Sequence, residues 1–259
     1  MTTALGVRPQ AAQAEKTLSK SVGLAERASQ AYGAEQYRAL RHIVEQFGKS
    51  GKKVIAISSP VAGDGKTLTS VNLARAMAQS SEARILLIDA DLRRGSVGEH
   101  LGISRAASLG LAGAIADRTL RLAAVARRLP GSNLSVLPAG ICPAAPYEAL
   151  RSVRVGELLN EARESYDYVL VDTPPVVPVA DMRVLSEWVD GFFLVVSAHR
   201  TPRALLDEAL SAMDPEKVLG IVYNGDDLPL SGRYRYYYSY GQPTAPSLFN
   251  SLLGTGGRR

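Results

Sequence analysis

Three short stretches of this 259-residue chain bring together residue types whose spacing could do chemistry. In SSPVAGDGKT (58–67) a glycine-bearing turn runs into Lys-Thr. Gly63 and Gly65 let backbone amides face inward, Lys66 can reach the outer charges of a polyphosphate, and Thr67 offers a hydroxyl to magnesium. A helix starting there adds partial positive charge at its N-terminus. The strict phosphate-loop pattern asks for glycine at position 60, where this chain has Pro60. In IDADLRR, Asp89 and Asp91 are two residues apart and share one side of an extended segment. VLVDTPP delivers Asp172. Each aspartate alone reads as a cap or turn residue. Three of them facing a phosphate loop would repel one another without a cation, and magnesium is the natural hard, oxygen-seeking choice. A carboxylate not used by the metal can orient an attacking hydroxyl or accept its proton.

A fourth stretch, RYRYYYSYG (233–241), puts Tyr234, Tyr236, Tyr237, Tyr238 and Tyr240 within seven residues of a chain with eleven tyrosines in all. An aromatic edge strand is the plain reading of alternating tyrosines. The neighbours point elsewhere: from Leu228 to Arg259 there is no Asp, Glu or Lys, and Gly, Pro and Ser are common, as in a mobile tail. Phenols on such a tail are candidate substrates.

The elements that must position these residues alternate along the chain. EQYRALRHIVEQFG forms a helix ended by Gly48, with Leu40, Ile43, Val44 and Phe47 on one side. Strands are expected at 54–58, 84–89, 134–140, 168–172, 192–197 and 218–224, helices at 66–79, 147–164, 182–189 and 203–213, and an apolar segment at 109–116. Short, continuously apolar strands separated by helices imply an α/β fold with a mostly parallel sheet covered on both faces. Ligands in such sheets bind at the carboxyl ends of the strands, where the phosphate loop and the three aspartates fall.

Together, SSPVAGDGKT, ILLIDADLRR and VLVDTPP resemble the Walker A, A′ and B motifs of the bacterial tyrosine kinases that drive capsule and exopolysaccharide production. The resemblance covers about Glu35 to Asn224 and the tyrosine-rich tail. LPAGICPAAPYEALRS is similar to the family's segment after the third strand, and Asp181 stands where the family keeps an aspartate after its Walker B loop. EQYRALR matches the family's Glu-x-x-Arg-x-x-Arg motif for subunit contacts through Glu35, Arg38 and Arg41, though a solvated helix face would have the same spacing.

The resemblance implies a P-loop NTPase three-layer sandwich that takes ATP and Mg2+. The loop residues Gly63, Asp64, Gly65, Lys66, Thr67 and Leu68 would bind the phosphates, Asn224 the adenine, and Thr67, Asp89 and Asp172 the metal. Lys66, Asp89, Asp91 and Asp172 would be catalytic, with Asp91 preferred over Asp89 for taking the phenol proton. The five tail tyrosines would be autophosphorylated in trans within a ring-like homo-oligomer that disassembles once phosphorylated. The implied organisation is a leader (1–33), a kinase domain (34–227) and a tail (228–259). Many relatives are fused to a membrane-spanning chain-length-control protein. This chain resembles the split arrangement: a cytoplasmic kinase recruited to the inner face of the membrane by a separate transmembrane adaptor and reset by a cognate phosphotyrosine phosphatase.

Composition narrows the field. An apolar content of 46% with 21% charged residues fits a globular domain. No apolar run approaches a bilayer span, and the N-terminus has no hydrophobic signal core. Cys142, His42, His100 and His199 are too scattered for a structural zinc site. The net charge of +5 is too diffuse for sequence-specific nucleic-acid reading. One rival is a partition- or division-type ATPase of the deviant Walker group, though the extra early lysine of those loops is absent here. A second is an assembly module that uses ATP only to hold a ring. A GTPase is disfavoured because NGDD follows the last strand in place of Asn-Lys-x-Asp.

Overall fold

The computed structural model describes residues 33–79, 82–104 and 108–225. Nearly all of the leader, and the whole tail with its five tyrosines, lie outside the described residues. Helix α1 is already formed at Gly33, two residues before the expected start, and runs through 49. There follow β1 (Val54–Ser58), α2 (Lys66–Met77), β2 (Ile85–Asp89), and the short α3 (Val97–His100), α4 (Gly110–Ala116) and α5 (Leu122–Val125). Next come β3 (Arg127–Arg128), β4 (Leu134–Leu137), α6 (Pro146–Arg151), α7 (Val153–Ser165), β5 (Tyr168–Asp172) and α8 (Asp181–Leu185). The described chain closes with β6 (Gly191–Ser197), α9 (Arg203–Ser211), a 3-10 turn and β7 (Val218–Asn224).

The strand order is β3-β4-β2-β5-β1-β6-β7. All pairs are parallel except β3 with β4. The four central strands are apolar at almost every position because both faces are covered, and their side chains alternate between two cores. Ile55 and Ile57 of β1, Ile85 and Leu87 of β2, and Leu170 of β5 face α1 and α2. Val54, Ala56, Leu86, Ile88 and Val171 face the helices α4 to α9. Each fully buried Ile or Leu contributes about 1.5–3 kcal/mol, so the two cores clamp the sheet from both sides.

The expected helix over 147–164 is two helices. Ser152 breaks it with an extended backbone (φ −60°, ψ 136°), and its side chain accepts a hydrogen bond from the Arg154 amide, starting α7. The apolar segment expected at 109–116 is α4, whose first residue, Gly110, has φ 57° and lies against Pro138 O. The expected helix over 182–189 stops at Leu185. The strand expected over 134–140 ends at Leu137, just before Pro138, and the two-residue antiparallel edge strand β3 carries no sequence pattern that could have announced it. Among the described residues no helix is long and apolar enough to cross a membrane.

Candidate active site

The topology gathers the chemistry at one end of the sheet. Strand β1, between β5 and β6, opens into the phosphate loop, and α2 begins at Lys66. Gly65, the residue before α2, has φ 91°, and a Cβ there would stand 1.9 Å from Asn224 Nδ2, so only glycine fits. The loop is braced from behind. Asn224 Nδ2 donates to Asp64 O at 3.0 Å, and the buried Asp64 carboxylate accepts from Thr201 Oγ1 at 2.6 Å and the Val61 amide at 3.3 Å.

In front of the loop, Lys66 Nζ lies 3.1 Å from Asp91 Oδ2 and 3.7 Å from Asp172 Oδ2. Thr67 Oγ1 donates to Asp172 Oδ2 at 2.7 Å, and Ser70 Oγ, one turn along α2, lies 2.9 Å from Asp172 Oδ1. Asp89 is opposite Asp172 in the β2–β5 register. Its two oxygens accept the amides of Asp91 at 3.2 Å and Val97 at 3.0 Å. Asp91 Oδ1 accepts the Arg94 amide at 2.9 Å.

Electrostatics follow from burial. Desolvation, and after it the Asp172 carboxylate, push Asp89 up to about 8. Desolvation also raises Asp172, against the pull of Lys66 and the Thr67 and Ser70 hydroxyls. Burial opposes the Lys66 charge, but the surrounding carboxylates, Asp172 first, outweigh it and hold the ammonium above its ordinary pKa. The internal cation between the aspartates is therefore Lys66.

A cavity of about 580 Å³ opens over this cluster. Its floor is Gly63, Gly65, Lys66 and Thr67; one wall is Asp91, Arg93, Arg94 and His100, and the other is Pro174, Pro175, Pro178 and Val179. Arg93 is tied across to Asp181, Nε to Oδ2 at 3.0 Å and Nη2 to Oδ1 at 3.3 Å. Glycine-backed amides, a lysine, a first-turn threonine and buried carboxylates in one cavity suit a nucleotide polyphosphate facing a proton acceptor. Among the described residues no three His, Cys, Asp or Glu side chains converge to hold a metal by themselves. The donor set, one hydroxyl and one or two carboxylates beside a phosphate site, instead fits magnesium, which keeps waters and takes phosphate oxygens.

The AAA domain family matches residues 52–188. Tyrosine-protein kinase YwqD of Bacillus subtilis is 35% identical over 210 residues, spanning 79% of this chain and 86% of its own length. This chain belongs to the bacterial tyrosine kinases. It spans only 29% of the putative tyrosine-protein kinase EpsB of Ralstonia nicotianae, at 32% identity. The kinase domain of the Escherichia coli tyrosine kinase ETK superposes with a TM-score of 0.69 at 28% identity, over 76% of this chain and 78% of that one. The MinC:MinD complex of Aquifex aeolicus, at 21% identity and a TM-score of 0.54, shares the fold alone. The P-loop fold, nucleotide binding and protein-tyrosine kinase activity follow from membership of this family.

Of the expected site residues, Gly63, Gly65, Lys66, Thr67, Asp89, Asp91 and Asp172 lie together at this end of the sheet. Leu68 lies on the cavity wall, 45% exposed. Asp64 has its carboxylate committed to the loop and Thr201, so any phosphate contact it makes is through its backbone. Asn224, expected at the adenine, has its amide nitrogen on the loop. On α1, Glu35 and Arg38 pair with each other in solvent, while Arg41 binds Glu45 at 2.6 Å and reaches Ala76 O of α2 at 3.2 Å. Sequence reasoning missed Ser70 and Thr201. Ser70 was legible as the residue one turn past Thr67 on the same helix face. Thr201 follows β6 at the site end of the sheet, where strand ends deserve inspection.

Proposed function

We propose that the kinase transfers the terminal phosphoryl group of ATP to the tyrosines of its own C-terminal cluster, Tyr234, Tyr236, Tyr237, Tyr238 and Tyr240, supplied in trans by a neighbouring copy. The observation that carries this reading is the Lys66–Asp91–Asp172–Thr67 cluster under a cavity large enough for a polyphosphate and a phenol together.

Lys66 holds the outer phosphate charges, and the α2 N-terminus and loop amides hold the rest. Thr67 and Asp172, with Asp89 behind, would hold magnesium, which supplies charge neutralisation between neighbouring phosphates when bound. Asp91 suits the role of proton acceptor better than Asp89. Asp91 lines the cavity, whereas Asp89 is 1% exposed and has both oxygens fixed by backbone amides. Asn224 would reach the adenine only by its face away from Asp64.

Phosphates of roughly −1.5 to −2 charge each on the tail would be repelled by the Asp91 and Asp172 carboxylates and by the phosphates of a bound nucleotide, releasing the tail and loosening a ring joined through Glu35, Arg38 and Arg41. The relatives' names, among them a succinoglycan biosynthesis transport protein, ExoP of Rhizobium meliloti, support a role beside a membrane polysaccharide system. A transmembrane adaptor at the inner membrane face and a phosphotyrosine phosphatase complete the reading.

The test is intact-mass and phosphopeptide analysis after incubation with ATP and magnesium. Phosphate on the tail of the parent and none in Lys66→Met is the expected result, with a variant carrying phenylalanine at all five tail tyrosines as the site control. No phosphotyrosine, even with an adaptor tail added, would move the assignment to an ATP-held assembly module.

A further inference from the structure

The kinase reading leaves the ion pair between Arg93 and Asp181 at the cavity without a role. Asp181, at the start of α8, has a side chain only 1% exposed, and it is gripped by the two-bond fork from Arg93. Such a fork fixes the plane of a guanidinium as well as its position. Arg93 itself is 42% exposed, lines the cavity two residues beyond Asp91, and takes part in the fork through Nε and Nη2, leaving Nη1 outside it. An exposed arginine paired with an exposed carboxylate contributes little. Burying a carboxylate is unfavourable unless its partner is well placed, so this pair is more than surface decoration. It also joins the two cavity walls, one carrying Asp91 and the other descending from Asp172.

We propose that Arg93 contacts the transferring phosphoryl group through Nη1, with Asp181 as its positioning residue. The proposal rests on the phosphoryl-transfer reading above. In that step the phenol oxygen bonds to the terminal phosphorus of ATP while the bond from that phosphorus to the bridging oxygen breaks. ADP departs with the electron pair, and the phenol proton passes to Asp91. Negative charge is spread over the oxygens of the phosphoryl group in flight, and a guanidinium already oriented toward them needs no reorganisation to stabilise it. A lysine at position 93 would keep the charge and lose the fork.

Two probes on the full chain with magnesium separate the possibilities: ADP alone, and ADP with aluminium fluoride, which mimics the phosphoryl group in flight. Arg93→Ala is expected to lose at least about ten-fold more affinity for the second probe than for the first. Tyrosine phosphorylation should fall on the order of 10²-fold, with little change in KM for ATP and partial rescue by added millimolar guanidinium. Asp181→Asn, which keeps the shape of the acceptor, should show a smaller selective loss and no rescue. Arg93→Lys serves as the conservative variant if either of the others fails to fold, and it too should lose the analogue selectively. Equal losses for the two probes, no loss, or a parent that binds both probes equally overturns the proposal. Analogue binding needs no acceptor tyrosine, so the two readings fail separately. A parent that forms no phosphotyrosine defeats the kinase reading, whereas a selective loss in Arg93→Ala still upholds Arg93.

Discussion

Asp89 and Asp172 stand side by side across the β2–β5 register, both buried, with the Lys66 ammonium 3.7 Å from Asp172 Oδ2. Two carboxylates so placed cannot both ionise without cost, and burial together with Asp172 holds Asp89 at about 8. The unfolded chain gives up that proton near pH ~3.9. The folded state therefore keeps a proton that the unfolded state has lost. The resulting stabilisation is full below the unfolded value and disappears as pH rises through the folded one. Unfolding free energy of the nucleotide-free protein should fall from pH 6 to 9. Asp89→Asn should flatten that fall and be the more stable protein at pH 9, by on the order of a few kcal/mol. Parallel pH curves for the two proteins in urea titrations would contradict this.

Lys66→Met removes the ammonium that both Asp91 and Asp172 face. Loss of nucleotide phosphate binding is expected in isothermal titration. A stability loss of about 3–5 kcal/mol is expected near neutral pH, since breaking a buried pair leaves its partner uncompensated. The loss should shrink at pH 5, where Asp172, raised by burial, takes up its proton more readily. A loss independent of pH would show that Lys66 serves the fold by packing alone.

Ser70→Ala leaves Asp172 Oδ1 without its hydroxyl donor in a buried position. A hydrogen bond to a charged group is worth about 1.5–3 kcal/mol, and thermal unfolding should report a loss in that range. The rate of tyrosine phosphorylation should fall with it, because Asp172 is then held by Thr67 alone among the hydroxyls. Wild-type rate and stability would mean that water replaces the serine.

Gly65→Ala places a methyl into Asn224 Nδ2 at a backbone φ of 91°. Nucleotide binding should be abolished. In the double variant with Asn224→Ala the clash is gone, but a left-handed non-glycine residue still costs roughly 1–2 kcal/mol. Partial recovery of binding is therefore expected; full recovery would show that the φ requirement is relaxed, and none would place the entire defect in the backbone.

The periodic parts of the fold were legible because their physics is local. Ile55, Ile57, Leu86 and Ile88 alternate between two cores and read as doubly covered strands from the sequence alone. The motif residues Lys66, Thr67, Asp89, Asp91 and Asp172 announce their site because strand ends in a parallel sheet converge. The break at Ser152 was hidden because serine is tolerated inside a helical run as well as at its cap. The bond from Asn224 to Asp64 O spans 160 positions and depends on β7 lying beside β6, an adjacency that no local pattern encodes. Asp181 could be singled out by its likeness to a family position, but its partner Arg93 emerges only when two loops meet across the cavity.

Asn224 is the final residue of β7, the edge strand that pairs with β6. The same residue grips the carbonyl behind the phosphate loop. The edge strand of the sheet and the back of the nucleotide cradle are thus one mechanical joint. Any displacement of β7 against β6 is delivered to Asp64 and so to the phosphate loop.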